Sequence, residues 1–305
     1  MDKINIDITK LEAFLSEKKI KYFCDMSVGK YSSFKIGGIA AIAIFPATVD
    51  ELCYALRMTK ELQIKFEVIG NASNILFAFE KYNGALIFTS EIGRYSFDGQ
   101  RLYAECGASL VKMSNAAKEK SLSGLEFACG IPARIGGACV MNAGAHGSAM
   151  SDVIEYTDAF DLKSGEKIRI YDNHYAYRKS VYLEDSTLIC FGASMLLAQG
   201  DKDKIAQKMR ENLDRRKASQ PLSLPSAGSY FKRPEGDFAG RLIEECGLKG
   251  ERIGGAEVST KHAGFIVNVG GATFYDVLAL EEKIKERVMS RFGVELCREV
   301  RLIED

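Results

Sequence analysis

Two stretches of small residues could present their main-chain amides to a ligand. The first is Gly70-Asn71-Ala72-Ser73-Asn74, which follows a predicted strand, and the second runs from Gly130 to Gly147 as GIPARIGGACVMNAGAHG. Glycine lets another group approach the main chain closely, and successive N–H groups form a concavity that suits an anion such as a pyrophosphate. The residues alone leave a second interpretation open, in which both stretches are ordinary turns.

Neither stretch has the pattern of a common nucleotide-binding loop. Neither contains Gly-x-Gly-x-x-Gly followed by a helix, which disfavours a Rossmann site. Neither ends in Gly-Lys-Ser/Thr, as a P-loop does. If the stretches bind a nucleotide, they do so in a different kind of fold.

Three polar side chains could stabilise charge or transfer a proton, but each also has an ordinary interpretation. Arg178 could hold a carboxylate in its planar fork, or it could be a surface arginine beside Lys179. Ser229 could donate a proton, or it could be a loop or helix-capping serine. Glu299 could act as a hydrogen-bonding acid, or it could form a weak surface pair with Arg301.

Hydrophobic periodicity and turn residues predict the elements that would position these groups. Helices are predicted over residues 48–62, 109–120, 203–217, 237–246 and 273–292, and strands over 63–70, 85–90, 101–107, 154–162, 166–172, 186–197, 264–268 and 294–303. Thr48 with Glu51 and Thr273 with Asp276 are capping-box signals, and Gly293 is a stop signal. Alternation in the last strand places Glu299 on the face opposite Val300. The irregular mixture of helices and strands predicts an α+β fold in several domains, with a boundary in the Pro/Ser-rich stretch 220–229.

Composition excludes several classes of protein. The chain has 305 residues with 41 basic and 41 acidic side chains, a balance that gives no support for a nucleic-acid or membrane partner. The charged N-terminus is unlike a signal peptide, so a cytoplasmic protein is expected. The eight cysteines contain no Cys-x-x-Cys pair and there are only three histidines, so no metal site is expected. The cysteines are interpreted as reduced core thiols.

Seven motifs, in order along nearly the whole chain, resemble those of the UDP-N-acetylenolpyruvoylglucosamine reductase family. They are Tyr31 to Gly38, Gly70 to Asn74, Gly130 to Ala145, Tyr177 to Ser180, Ser226 to Lys232, Gly240 to Gly250, and Glu299 to Arg301. Each motif is weak by itself, and their shared order makes the resemblance specific. The short spacing from Arg178 to Ser229 and the wording PSAGSYFKRP are similar to the subgroup that lacks an extra substrate-capping loop.

The resemblance implies an α+β fold with an FAD-binding part of the vanillyl-alcohol-oxidase (PCMH) type, built from two subdomains, and a C-terminal α+β substrate-binding domain. The implied boundaries are 1–84 for the first subdomain, to which strand 300–305 returns, 85–217 for the second, and 218–299 for the substrate domain. FAD would be held non-covalently. The implied cofactor-binding residues are Gly70, Asn71, Ala72, Ser73, Asn74, Gly130, Ile131, Pro132, Gly136, Gly137, Ala138, Asn142, Ala143 and Gly144.

Three residues depart from the family pattern. Its members usually have glycine where Ala72 and Ala133 stand and tyrosine where His146 stands. FAD binding is expected to survive, provided that the two alanines have a negative φ. A covalent link from His146 to FAD is not expected, because this family binds FAD non-covalently.

The activity implied by the resemblance is NADPH-dependent reduction of the enolpyruvyl ether of UDP-N-acetylglucosamine to UDP-N-acetylmuramate, a precursor of peptidoglycan, by a monomeric enzyme. Arg178 and Glu299 would stabilise the developing negative charge, and Ser229 would donate a proton. The implied substrate-binding residues are Tyr177, Lys217, Lys232 and Arg233. Two alternatives remain: another FAD-dependent alcohol or sugar oxidoreductase of the same fold, and a non-catalytic module that binds nucleotide sugars.

Overall fold

The structure is a computed structural model that describes residues 3–305, with side chains from residue 7 onward. Its α-helices are α1 (Lys3–Glu17), α2 (Val49–Glu61), α3 (Leu110–Glu119), α4 (Ile135–Val140), α5 (Val181–Glu184), α6 (Lys202–Ser219), α7 (Ala239–Glu245) and α8 (Phe274–Phe292). Its strands are β1 (Lys21–Ser27), β2 (Ile39–Phe45), β3 (Phe66–Ile69), β4 (Ile75–Phe77), β5 (Lys81–Phe88), β6 (Tyr95–Asp98), β7 (Arg101–Glu105), β8 (Leu122–Ser123), β9 (Gly144–Ala145), β10 (Ser148–Ala149), β11 (Ile154–Asp161), β12 (Glu166–Ile170), β13 (Leu188–Leu196), β14 (Ala198–Gln199), β15 (Arg252–Ile253), β16 (Ala256–Val258), β17 (Ile266–Asn268) and β18 (Arg301–Ile303).

The described chain forms two compact units, each made of separate segments. The first comprises the residues up to Asp25, Ala41–Asn71 and Asn83–Arg215. The second comprises Met26–Ala40, Ala72–Tyr82 and Arg216–Asp305. The three-domain division expected from the sequence remains a proposal about which segments bind FAD and which bind the substrate.

Two sheets, of four and five strands, lie mainly in the first unit, and each packs against a hydrophobic core. One sheet has the strand order β1-β2-β5-β3, and helix α2 buries Leu52 and Leu56 in the core that contains Ile42 and Ile87. The other has the order β12-β11-β13-β7-β6, and its core includes side chains of α3 and α4. Each fully buried leucine or isoleucine contributes about 2 kcal/mol through removal of apolar surface from water.

The second unit packs α7 and α8 with the antiparallel sheet β15-β16-β17. Its core includes Leu242 of α7, Val258 of β16, and Val277 and Leu280 of α8. The C-terminal strand β18 pairs in parallel with β4, so that the end of the chain lies beside the strand that follows the first glycine-rich stretch.

All five predicted helices are confirmed to within two residues of their predicted ends. Thr273 and Asp276 form the predicted capping box of α8, and Gly293 ends the helix with φ of 66°. At α2 only half of the predicted capping box forms, because the Glu51 carboxylate accepts from the Ala47 amide and not from that of Thr48. The side-chain oxygen of Thr48 accepts from Glu51 as expected.

The last predicted strand, residues 294–303, is wrong over most of its length, because only Arg301–Ile303 is a strand. The preceding residues bond at isolated points to another segment: Lys232 donates to the Cys297 carbonyl and Glu299 donates to that of Tyr230. A continuous ladder, which a strand requires, does not form there.

The interpretation of the cysteines as core thiols is confirmed for five positions. Buried cysteines stand at 53, 106, 129, 139 and 190, whereas Cys24 and Cys297 are exposed. The interpretation is therefore wrong for these last two. None of the eight, all of which lie in the described part of the chain, forms a disulfide.

Candidate active site

Gly70 and Asn71, the part of the first glycine-rich stretch that lies in the first unit, contact the second stretch there. The Asn71 side chain donates from Nδ2 to the carbonyl oxygen of Pro132 at 2.8 Å. A Cβ atom built on Gly70 would lie 3.5 Å from the Cβ of Arg134, which is ordinary van der Waals contact. Residues about sixty positions apart in the sequence are therefore neighbours, as a single ligand-binding cradle requires.

Adjacent glycines of α4 have different surroundings. A Cβ on Gly136 would lie 2.8 Å from the Cβ of Cys106, so this glycine is required for packing inside the protein. A Cβ on Gly137 would meet no described atom within 4 Å. Gly136 therefore faces the closely packed interior, and Gly137 faces open space where a ligand can contact the main chain.

Arg134 is a functional candidate that the sequence interpretation missed. It is the N-cap residue of α4, and its Nη1 donates to the Gly107 carbonyl at 3.0 Å. Its Nε is buried and has no hydrogen-bond partner among the described residues. The half-buried Arg134 side chain passes beside Gly70 and carries a permanent positive charge that suits an anionic ligand. The sequence signal that could have identified Arg134 is its position as an arginine inside a glycine-rich stretch.

Two of the residues that depart from the family pattern have a left-handed backbone conformation. Ala72 has φ of 46° and is 2% exposed, so the negative φ on which the expectation for FAD binding depended is absent there. This left-handed conformation costs a non-glycine residue about 1 kcal/mol. His146 also has a positive φ, 55°, and lies in the tight turn between β9 and β10.

Arg178 lies at the tip of a tight turn. Ala176 and Lys179 exchange main-chain hydrogen bonds, with N–O distances of 3.4 and 3.1 Å, so Tyr177 and Arg178 are its two central residues. Arg178 has φ of 52°, and its Nη1 donates to the main-chain oxygen of Asn142 at 3.3 Å. The interpretation as an ordinary surface arginine does not fit this half-buried side chain in contact with the second glycine-rich stretch.

Ser229 and Glu299 belong to two segments that are joined within the second unit. Ser229 is exposed and directly precedes the buried Tyr230, whose amide donates to the Gly264 carbonyl at 2.8 Å. The Glu299 amide donates to the Tyr230 carbonyl at 2.8 Å. Glu299 is only 8% exposed, so the interpretation as a solvent-exposed surface pair is wrong. Asn74, the last residue of the first glycine-rich stretch, donates from Nδ2 to the Glu299 main-chain oxygen at 3.1 Å.

A buried carboxylate holds these two segments together. Glu281 of α8 is 0% exposed; it accepts from the Tyr230 hydroxyl at 2.7 Å and from Arg298 in a bidentate pair at 2.7 and 2.8 Å. Lys285, one turn along the helix, lies 2.5 Å away. Burial alone would raise the pKa of this carboxyl, but the hydrogen bonds from Arg298, Lys285 and Tyr230 outweigh it and lower the pKa below its usual value.

Glu281 was also missed from the sequence, although a signal was present. It stands four residues after Val277 and three before Ile284, on the apolar face of the predicted helix. A charged residue at such a position needs buried partners. Tyr230 and Arg298 are those partners, and they directly adjoin Ser229 and Glu299.

The predicted substrate-binding residues are divided between the units. Tyr177, 57% exposed, lies in the first unit, and Lys217, Lys232 and Arg233 lie in the second, all with exposed side chains. The guanidinium of Arg233 stacks 4.6 Å from the centre of the Phe238 ring. Exposed cations of this kind are available to a diphosphate.

Comparison with known proteins gives this fold and site a class. Residues 40–171 match the model of an FAD binding domain, and residues 220–303 match the model of the UDP-N-acetylenolpyruvoylglucosamine reductase C-terminal domain. The protein is thus an FAD-containing oxidoreductase, and its predicted fold, α+β with an FAD-binding part of the vanillyl-alcohol-oxidase type, is confirmed.

Relatives of nearly equal length define the family. UDP-N-acetylenolpyruvoylglucosamine reductase of Caldanaerobacter subterraneus is 42% identical over 97% of this chain and 97% of its own. That of Clostridium novyi is 40% identical over 98% of this chain and 97% of its own. The crystal structure of the reductase from Thermus caldophilus superimposes with a TM-score of 0.78 at 31% identity, covering 93% of this chain and 99% of that one. The chain belongs to the UDP-N-acetylenolpyruvoylglucosamine reductase family.

Over the described residues, no helix combines the length and the apolar composition needed to cross a bilayer.

Proposed function

We propose that this chain reduces the enolpyruvyl ether of UDP-N-acetylglucosamine to UDP-N-acetylmuramate with NADPH as the reductant. Support comes from family membership and from the names of relatives that match almost the whole chain. The reaction supplies a peptidoglycan precursor, which ties the protein to cell-wall synthesis, cell shape and division. We further propose that it acts in the cytoplasm as a monomer.

FAD, when bound, supplies the hydride carrier between NADPH and the substrate. We propose that Gly70 to Asn74 and Gly130 to Gly144 hold it. The open space at Gly137 leaves room for its diphosphate against the main chain, and the half-buried Arg134 side chain offers that diphosphate a positive charge. These assignments keep the predicted cofactor residues and add Arg134.

The chain's own polar groups then act on the substrate. Hydride arrives at C3 of the enolpyruvyl group and negative charge develops at C2 and the carboxylate. Arg178 provides a permanent positive charge to the carboxylate, and Glu299 is a hydrogen-bonding acid beside it. The Ser229 hydroxyl donates its proton to C2, which completes the addition of two hydrogens. Lys217, Lys232, Arg233 and Tyr177 bind the UDP portion and orient the substrate.

The observation that carries this proposal is the main-chain connection between the Ser229 and Glu299 segments, 2.8 Å from the Glu299 amide to the Tyr230 carbonyl. This connection brings together two segments that are far apart in sequence, as the proposal requires if both residues act on one substrate. The test is anaerobic reduction of the bound flavin by NADPH, followed by addition of the enolpyruvyl substrate. Loss and then recovery of the oxidised flavin spectrum is expected. A chain that takes up no flavin, or whose reduced flavin the substrate cannot reoxidise, would contradict the proposal.

A further inference from the structure

The turn that carries Tyr177 and Arg178 is fastened at both ends to the second glycine-rich stretch. Before the tip, Asn142 donates from Nδ2 to the Ala176 carbonyl at 3.1 Å. After the tip, the Ser180 hydroxyl donates to the Val140 carbonyl at 2.6 Å. We call these two hydrogen bonds the turn clamp.

Both side chains of the turn clamp are buried. Asn142 is 5% exposed and Ser180 is 0% exposed. A hydrogen bond to a main-chain carbonyl is stronger and more directional away from water than at the surface, because water does not compete for the donor. The clamp can therefore hold the turn in one position.

The whole side-chain amide of Asn142 is engaged by the protein. Its Oδ1 accepts from the Ser151 amide at 3.0 Å, and its Nδ2 also approaches the Ser151 hydroxyl at 3.4 Å. Its φ is 41°, a left-handed conformation that asparagine adopts more readily than most residues. Any contact that Asn142 makes with a cofactor therefore comes from its main chain, and its side chain serves another purpose.

We propose that Asn142 and Ser180 are positioning residues for Arg178. Together with the Asn142 main-chain oxygen, which accepts from Arg178 Nη1 at 3.3 Å, they set where the guanidinium fork points. This inference rests on the proposed function, in which Arg178 stabilises charge on the substrate carboxylate. The second glycine-rich stretch would then serve two purposes, since it receives the cofactor on one side and holds the substrate-directed arginine on the other.

The first test compares the two half-reactions in FAD-loaded Asn142→Asp and Ser180→Ala. Aspartate keeps the acceptor for Ser151 and tolerates a positive φ, but it replaces the donor with an anionic oxygen facing the Ala176 carbonyl. We expect flavin reoxidation by the enolpyruvyl substrate to slow about 10- to 100-fold in both variants, because a small misplacement of a charge-stabilising group is costly. Flavin reduction by NADPH should stay within about twofold in Ser180→Ala, whose residue lies outside the proposed cofactor-binding set. Normal reoxidation in both variants would overturn the inference.

Asn212→Asp is the matched control. Asn212 is also buried, 2% exposed, and its Nδ2 donates to a main-chain carbonyl, that of Glu126, at 3.0 Å. It makes no contact with the turn among the bonds described above. Slow reoxidation in this control as well would show a general loss of packing and would overturn the specific role of the turn clamp.

A second readout needs neither flavin nor substrate. Arg178 and Lys179 place two trypsin cleavage sites at an exposed turn, and such sites are cut only when the turn opens. Cleavage after residues 178 and 179, followed by mass spectrometry, is expected to become faster in Asn142→Asp and Ser180→Ala and to be unchanged in Asn212→Asp. Equal cleavage rates in all four proteins would overturn the clamp.

A double-mutant cycle separates this inference from the proposed function. If Asn142 acts through Arg178, then Asn142→Asp slows reoxidation in the wild type but has little further effect in Arg178→Ala. If the fold-losses in reoxidation rate of the two single variants multiply in the double variant, the positioning role is overturned and the proposed function is not. Unchanged reoxidation in Arg178→Ala itself would overturn the proposed role of Arg178, and with it the inference.

Discussion

The main-chain amide of Glu299 donates a hydrogen bond to the carbonyl oxygen of Tyr230, with 2.8 Å between nitrogen and oxygen. The side chain of Tyr230 and that of Arg298, the residue before Glu299, both bind the buried carboxylate of Glu281. The position of Ser229 relative to Glu299 is therefore set by main-chain hydrogen bonds between the two segments and by one buried ionic cluster.

Replacement of Ser229 by alanine should separate the two halves of the reaction. Flavin reduction by NADPH should remain near normal, because that step needs no proton from the serine. Flavin reoxidation by the enolpyruvyl substrate should slow at least about 100-fold, as expected when a positioned proton donor is removed. Anaerobic stopped-flow absorbance of the flavin measures both steps.

Ser223→Ala is the control, since Ser223 is another exposed serine in the same Pro/Ser-rich stretch. Its half-reactions should match those of the wild type. Equal reoxidation rates in Ser229→Ala and Ser223→Ala would remove Ser229 from the mechanism.

Replacing each of the adjacent glycines of α4 by alanine should give opposite results. Gly136→Ala places a Cβ 2.8 Å from that of Cys106, so it should destabilise the protein by about 2 kcal/mol through overpacking. Gly137→Ala meets no described atom within 4 Å and should leave the apoprotein as stable as before, or slightly more stable because alanine favours the helix.

FAD affinity is the property that Gly137→Ala should change. Its methyl group would occupy the space through which a ligand reaches the main chain, and we expect FAD to bind about tenfold more weakly, a loss of about 1.4 kcal/mol. Chemical unfolding of the apoprotein and fluorescence titration with FAD measure the two effects. Unaltered FAD affinity in a folded Gly137→Ala protein would place the cofactor elsewhere.

Neutralising Glu281 should destabilise the protein. Glu281→Gln keeps the shape of the side chain but leaves Arg298 and Lys285 without their shared counter-charge. We expect a loss of about 3 kcal/mol in the free energy of unfolding. This value is near the lower end for a broken buried ion pair, because both cations remain partly accessible to water. Glu282→Gln is the matched control, since its side chain is 65% exposed and pairs with Lys285 at 3.2 Å. A change below about 0.5 kcal/mol is expected there. Similar losses in the two variants, measured by urea unfolding, would contradict the anchoring role.

The stability difference between wild type and Glu281→Gln should depend on pH. The pKa of Glu281 is lowered in the folded protein from its ordinary value of 4.5, so the folded state favours the ionised carboxylate. The stabilisation is therefore fully present above pH 4.5 and is lost as the pH falls through the lower, folded-state pKa. Urea unfolding of both proteins from pH 7 downward should show the two free energies converging in acid. A difference that grows on acidification would mean that the sign of the shift is wrong.

The local elements were predictable because their signals lie within a few residues. Helix α8 shows this, with Thr273 and Asp276 at its start, apolar residues at helical spacing, and Gly293 at its end. The last predicted strand was wrong over residues 294–300. The alternation there is compatible with a strand, but the hydrogen-bonded ladder with a neighbouring strand does not form. The positive φ of Ala72 was likewise invisible, since the turn around it depends on Ser33, a residue distant in sequence whose amide donates to the Ala72 carbonyl.

By itself, the sequence determined the class of fold, the two glycine-rich stretches and the family, since motif order and residue type are properties of the chain. Only the tertiary structure decided that Asn71 meets Pro132, that Glu299 is buried, and that Glu281 and Asn142 hold residues distant from them in sequence. The physical reason is that a hydrogen bond or an ion pair between distant segments depends on where the hydrophobic cores place those segments, and no local pattern of residues encodes that distance.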